Sequence, residues 1–461
     1  MTLPDGPKTP SILQTVEWTI DPVGFMERKA AQFGDTFTCK FGNTLDGLVF
    51  LSHPEDIRAV LTADAKQFDS GRANGVLTAF VGENSILIID GNRHKQRRKL
   101  LMPPFHGDRV LTYGDTIIDA TRRVTDDRPF GQPFSVRSLT QEITMRVILK
   151  AIFGLNEGER YDRIYELMSD ILEMTASPLK ASMLFFPVLQ QDWGAWSPWG
   201  RFLRCQKELD DLLYEVIQER RATPDETRTD ILSLMLSASD ENGEGMTDEE
   251  LRDELVTLLL AGHETTATAL SWALYWTHKY PEVRQGILEE LAPLGENPDP
   301  MAVYQLPYLT AVCNETLRIY PVALITFPRI VKGSFTMGDR TFEDESILAP
   351  CIYLTHHRED IYPEPDRFNP HRFLDRQYSP FEFFPFGGGN RRCLGMALAM
   401  YELKLGLATM LRDYEFTLPD DRPIKPMRRG VTLAPSGNLQ LIKVDRHNAA
   451  KARETATASH P

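Results

Sequence analysis

Apolar and polar positions alternate in short runs near the start of the chain and at helical spacing through most of the rest. Thr36–Phe41 and Gly47–Leu51 read as paired strands between glycine-rich turns. His53-Pro54-Glu55-Asp56 opens a helical run, Ile57 to Leu61, with proline where its missing N–H costs little. From about Asp108 to Ala238 the period is 3.6, the mark of amphipathic helices. Thr247-Asp-Glu-Glu250 has capping-box spacing, and no proline follows until Pro281. That predicts a helix of over 30 residues, about 50 Å long. A helix follows Pro281, and another runs from Tyr308 to Tyr320, stopped by Pro321. Val322–Leu354 turns β-rich around Gly338-Asp339, residues 361–392 form a proline-punctuated loop, and a last helix runs from Cys393 to about Tyr414. No repeat or linker interrupts the pattern. The expectation is one mainly α domain, residues 1–445, with a smaller β-rich portion, then a mobile polar tail over 446–461.

Composition fits a folded enzyme: 42% hydrophobic, 10% aromatic and 25% charged residues. The 51 basic and 65 acidic side chains leave a net charge of −14, which weighs against nucleic-acid binding. The five cysteines, Cys39, Cys205, Cys313, Cys351 and Cys393, follow no disulfide spacing, which points to a reducing, cytoplasmic setting. The N-terminus lacks a secretory h-region. The apolar run Leu255–Gly262 stops at His263 and Glu264, short of the ~18 residues a membrane span needs. Ser182–Leu189 and Trp193–Trp199 are unusually apolar for a connection. Two readings stand: partly buried core, or a flap over an apolar pocket that touches a membrane surface.

The chemistry concentrates in Phe386-Gly-Gly-Gly-Asn-Arg-Arg-Cys393-Leu-Gly395. Gly387, Gly388 and Gly389 permit close backbone approach. Cys393 stands at the start of an apolar helix, where free N–H groups favour a thiolate, and Arg391 adds positive charge. A phosphate loop would need G-K-[ST], which is absent. A thiolate ligand to a metal centre fits better than a buried small hydrophobe.

This segment resembles the haem-binding signature F-x-x-G-x-R-x-C-x-G of the cytochrome P450 family, carried by Phe386, Gly389, Arg391, Cys393 and Gly395. The resemblance implies the P450 fold, with haem b between the long helix and the Cys393 loop. It also implies Cys393 as the axial iron ligand. Phe386, Gly387, Gly395 and Ala261 would touch the same cofactor. Ala261-Gly262-His263-Glu264-Thr265-Thr266 is similar to the family's oxygen-activation motif. By that likeness Gly262 lets dioxygen approach, Thr265 bonds the oxygen being activated, and Glu264 relays protons. The zinc-protease alternative fails, because Ala267 stands where a second histidine is required.

Glu315-Thr-Leu-Arg318 and Pro370-His-Arg-Phe373 look like the family's bracing elements, implying a Glu315–Arg318–Arg372 network. Gly91–Arg98 contains H-x-x-x-R, and the resemblance assigns His94, Arg98, Arg329 and Arg391 to the haem propionates. Arg97, Lys99 and Arg392 are expected to form a docking surface for an acidic electron donor.

Family position gives the pocket walls as Gly71–Ile89, Leu259–Thr266, Val322–Phe327 and Val431–Pro435. The residues named for contact are Leu87, Leu259, Ala261, Thr266, Val322, Ala323, Leu324, Ile325 and Leu433. Arg72 is the one cation in these stretches that could await a carboxylate. The implied reaction is monooxygenation by O2 of a small hydrophobic molecule, a fatty acid, terpenoid or similar lipid. Electrons would come from NAD(P)H through separate ferredoxin and ferredoxin reductase chains, since no flavin domain is fused. Length and the segment Lys99–Gly107 resemble cyanobacterial members especially. Intact Glu264-Thr265 argues against the two alternatives, a peroxide-using or hydroperoxide-rearranging enzyme and a haem carrier or gas sensor.

Overall fold

Thr247 caps the longest helix as its spacing predicts. Its hydroxyl accepts from the Glu250 N–H at 3.2 Å, and the Glu250 carboxylate accepts from the Thr247 N–H at 3.1 Å. The helix spans Asp248–Lys279, 32 residues, and Pro281 opens the next one, Pro281–Leu291. These features come from a computed structural model that describes residues 3–447 except 43–44, 156, 175–189, 195, 226 and 240–242. The apolar run Ser182–Leu189 lies outside the described residues, as does the tail from residue 448. Arg446, expected in that tail, instead closes the strand Gln440–Arg446 and pairs with Asp126.

Eight helices frame the centre of the molecule: α1 (Gly91–Leu101), α2 (Gly114–Asp126), α3 (Val136–Phe153), α4 (Glu159–Glu173), α5 (Pro198–Ala222), α6 (Asp248–Lys279), α7 (Pro307–Ile319) and α8 (Met396–Asp413). The largest apolar core gathers residues from all of them around α6, including Leu101, Ile117, Ile148, Leu167, Leu213, Leu259, Val312 and Leu407. Most of α6 is therefore buried on every side, its polar side chains such as Arg252, Glu254 and Glu264 included. No described helix is long and apolar enough to cross a membrane. All five cysteines are free thiols.

The main sheet combines β1 (Thr36–Phe41), β2 (Leu45–Leu51), β3 (Phe68–Asp69), β4 (Arg329–Val331) and β5 (Ile347–Pro350) in the order β1–β2–β5–β4–β3. β2 and β5 run parallel, and the other neighbours antiparallel. Phe37, Phe50, Ile347 and Ala349 form a second core with Phe25, Leu324 and Leu433. A two-stranded hairpin, β6 (Pro426–Arg429) and β7 (Thr432–Pro435), lies against α6, where the Trp272 indole N–H donates to the Leu433 carbonyl at 2.8 Å.

Two expected boundaries move. Pro321 and Pro328 keep residues 322–328 irregular, so the β-rich stretch begins only at Arg329. The last helix begins at Met396, because a short 3₁₀ turn at Gly389–Arg391 and a Cys393 N–H bond to the Phe386 carbonyl (3.0 Å) hold Cys393 in a tight loop.

Candidate active site

The Cys393 loop is built on glycines, and Gly389 most of all has no room for a side chain. Gly387 and Gly389 have φ of 65° and 64°. A Cβ on Gly389 would sit 2.2 Å from the Leu61 carbonyl oxygen, and one on Gly388 2.7 Å from the Leu61 side chain. The loop thus rests directly on the helix Pro54–Thr62. Cys393 is the one exposed cysteine of the five. Desolvation by the surrounding protein raises its pKa, while the Gly395 N–H and the charges of Arg98 and Arg392 oppose the rise.

Along the middle of α6 only Leu260, Ala261, Gly262 and Thr265 are open, while the flanking residues are buried. The Thr265 hydroxyl donates to the Ala261 carbonyl at 2.5 Å, leaving its own lone pairs available. Glu264 is held from α3: Arg137 Nη2 lies 2.8 and 2.9 Å from its two oxygens, and Gln141 donates at 3.1 Å. His263 meets Thr144 at 2.8 Å, and burial pushes its pKa down to about 3, so the ring is neutral. A Cβ at Gly262 would lie 2.7 Å from Ile148 Cδ1. That glycine has a packing reason on the α3 side besides any role toward oxygen.

Four basic groups cluster with one carboxylate. His94, Arg98, Arg329 and Arg391 act on one another electrostatically, with Asp90 as counter-charge. Burial, then Arg391 and Arg98, push His94 down to about 3. Burial and Arg391 lower Arg329 to about 10. Arg391 donates to the Ile86 and Ile89 carbonyls at 2.8 and 2.6 Å and to Asp90 at 2.5 Å, but its buried Nε has no partner. Asp90 also accepts from the backbone N–H groups of Ser70, Gly71 and Arg72, at 3.0, 2.8 and 3.2 Å.

Behind the loop, Arg318 grips Glu315 through two bonds of 2.6 and 2.8 Å. Arg372 Nε reaches the same carboxylate at 3.1 Å, and the Asn369 N–H at 2.9 Å. Arg318 also donates to the His356 carbonyl at 2.8 Å, and all three charged side chains are buried.

The cytochrome P450 family model matches residues 4–442. The chain belongs to the cytochrome P450 family. It is 34% identical over 461 residues to the putative cytochrome P450 135B1 of Mycobacterium tuberculosis, covering 99% of this chain and 94% of that one. It is 33% identical over 447 residues to the putative cytochrome P450 135A1 of the same species, covering 95% of each. Its fold matches the retinoic acid-bound cyanobacterial CYP120A1 with a TM-score of 0.82 at 23% identity, over 97% of this chain and 100% of that one. The haem domain of cytochrome P450DA matches with a TM-score of 0.84 at 22% identity, over 97% and 98%. The protein is therefore a haem-thiolate monooxygenase, an oxidoreductase of a family that uses haem and O2 and generally draws electrons from redox partners.

The residues present fit the P450 cofactor. An accessible thiol stands in a loop whose Gly389 leaves no room for a side chain against Leu61. A buried cationic cluster with a single carboxylate and an orphaned arginine Nε suits the two propionates of haem.

Several expected positions are corrected. Leu259 and Thr266 are buried, lying about 160° and about 140° around the helix from Ala261. Leu324 and Leu433 are buried in the second core, not in an open wall. Leu87, Val322, Ala323 and Ile325 are half-buried, and Ala261 is exposed. Arg97 is buried between Glu254 (2.9 Å) and Glu250 (2.5 Å) and cannot meet a donor protein, whereas Lys99 and Arg392 are exposed. Arg72 awaits no carboxylate: its Nη2 lies 2.8 and 2.9 Å from the two Glu345 oxygens. Sequence reasoning also missed Arg137 and Gln141. With Thr144 and Ile148 they recur at i, i+4, i+7 and i+11, one face of α3, and that spacing was the available signal.

Proposed function

We propose that Cys393 is the axial thiolate ligand of haem b, with Phe386, Gly387, Gly395 and Ala261 against the macrocycle. His94, Arg98, Arg329 and Arg391 hold its propionates, and the Glu264–Thr265 pair supplies protons. The observation that carries this reading is the open patch in the middle of α6, Leu260–Gly262 and Thr265, beside a carboxylate anchored from another helix. Haem bound there supplies oxygen activation, so that R–H, O2, two electrons and two protons give R–OH and water. Thr265 hands on a proton when its hydroxyl turns from the Ala261 carbonyl toward the open side. Glu264 recharges it, its carboxylate moving between Arg137 and Thr265 and taking protons from the solvent side. The Glu315–Arg318–Arg372 network keeps the Cys393 loop in register.

The substrate is a hydrophobic organic molecule, hydroxylated or epoxidised, with fatty acids and terpenoids the favoured classes. Half-open apolar residues, Leu260, Val322, Ala323 and Ile325, support this. So does the structural neighbour that binds retinoic acid, a hydrophobic carboxylic acid. NAD(P)H serves through a ferredoxin and its reductase, which approach the exposed Lys99 and Arg392. The test is a titration of ferric protein with fatty acids, terpenoids and polycyclic aromatics, followed by turnover with ferredoxin. A low-to-high-spin change with one class, and oxygenated product from it, is expected. Silence across the panel would overturn the lipid-like assignment.

A further inference from the structure

The β6–β7 hairpin carries two adjacent arginines that meet different fates. Its register pairs Arg428 with Leu433 and Arg429 with Thr432, so the two arginines occupy opposite faces. Arg428 lies 5.3 Å over the Trp18 ring and donates to the Gly430 carbonyl at 3.0 Å, on the side where Leu433 joins the second core. Arg429 turns the other way, toward α3, α4 and α6, where the charged groups that act on it are Arg137, Glu264 and Glu173.

The Arg429 guanidinium forms no hydrogen bond or ion pair among the described residues, and its Nε is enclosed without a partner. Its two acidic neighbours do not satisfy it. Glu264 is engaged by Arg137 and Gln141, and Glu173 is exposed at the end of α4. Burial and the Arg137 charge both work against the Arg429 cation as it stands. A half-buried guanidinium with unused donors is costly, and an incoming anion would relieve that cost with charge-assisted bonds. Next in the chain is the hairpin turn, Gly430-Val431, where Val431 is 60% exposed and offers an apolar surface beside the charge. Arg72, the other cation near the expected pocket walls, is already committed to Glu345.

We propose that Arg429 receives the carboxylate of a hydrophobic acid substrate whose apolar chain runs along Val431 toward the open face of α6. This rests on the monooxygenase site proposed above and narrows its substrate class from hydrophobic molecules to hydrophobic acids.

The experiment titrates ferric holoenzyme with two acid–alcohol pairs, palmitic acid with hexadecanol and retinoic acid with retinol. Haem absorbance and calorimetric heat are both read. Wild type should bind at least one acid roughly tenfold or more tightly than its alcohol. Arg429→Gln should erase that preference while leaving alcohol affinity within about twofold, and Arg429→Lys should restore part of it. Acid and alcohol bound alike by wild type, or weakened alike by Arg429→Gln, would overturn the proposal. So would a wild type that binds neither member of either pair. If that wild type still shows the thiolate-type reduced–CO spectrum, only the acid assignment falls. If the spectrum is missing, the site itself has been misread.

Discussion

Arg137 on α3 holds Glu264 on α6 with contacts of 2.8 and 2.9 Å, tying the acid proposed to relay protons to a neighbouring helix rather than to its own. The bond orients the carboxylate in a largely apolar setting, and the proposed relay needs it to loosen from Arg137 to reach Thr265. Arg137→Ala should therefore lower stability by about 1–3 kcal/mol, the cost of a buried group losing its partner. Chemical denaturation of the variant and wild type checks this. Equal midpoints and slopes would show that the pair contributes nothing.

Thr265→Ala removes the hydroxyl that bonds the Ala261 carbonyl and touches little else. Substrate affinity should stay close to wild type, while product per O2 consumed falls on the order of tenfold or more and hydrogen peroxide rises. Oxygen uptake measured together with product and peroxide separates this from a simple loss of activity. Unchanged coupling would remove Thr265 from the proton path.

Glu315→Ala leaves two buried guanidinium groups, Arg318 and Arg372, without their shared carboxylate. A loss of about 3–5 kcal/mol is expected for such a break. Haem content per protein chain should drop in proportion, and the residual holoprotein should turn over near the normal rate. Full haem loading with slow turnover would instead assign the network a role in the chemistry.

Glu254 sits beside Arg97 with one buried oxygen unpartnered, and burial pushes its pKa up to about 8 from the model-compound value of 4.5. The folded state thus keeps a proton that the unfolded chain releases above pH 4.5. Stability supplied by this group is complete below that value, declines as pH rises through the interval, and is gone above about 8. Glu254→Gln, which cannot titrate, should flatten the fall in denaturation midpoint between about pH 5 and 8. An identical slope in wild type and variant would contradict the assignment.

Much of this was readable in the sequence where the determinants are local. Thr247, Glu250 and Pro281 delimit α6 to within a residue or two, and the glycines before Cys393 announce a tight loop. Partners distant in the chain were not readable. Arg97 lies in a basic run that looks like a solvated face, and only the arrival of Glu250 and Glu254 from α6 buries it against two carboxyl groups. Arg72 looked available for the same reason, until the fold brought Glu345 to it. Leu259 and Thr266 were misplaced because a continuous stretch was read as a wall, whereas a helix shows a cavity only one face.

The central claim, that Cys393 is the thiolate ligand of a haem monooxygenase, is tested most directly by the reduced–CO difference spectrum of wild type and Cys393→Ser. Wild type should give the thiolate-type spectrum and the serine variant should lose it, even where haem is retained. A thiolate-type spectrum persisting in Cys393→Ser would contradict the account.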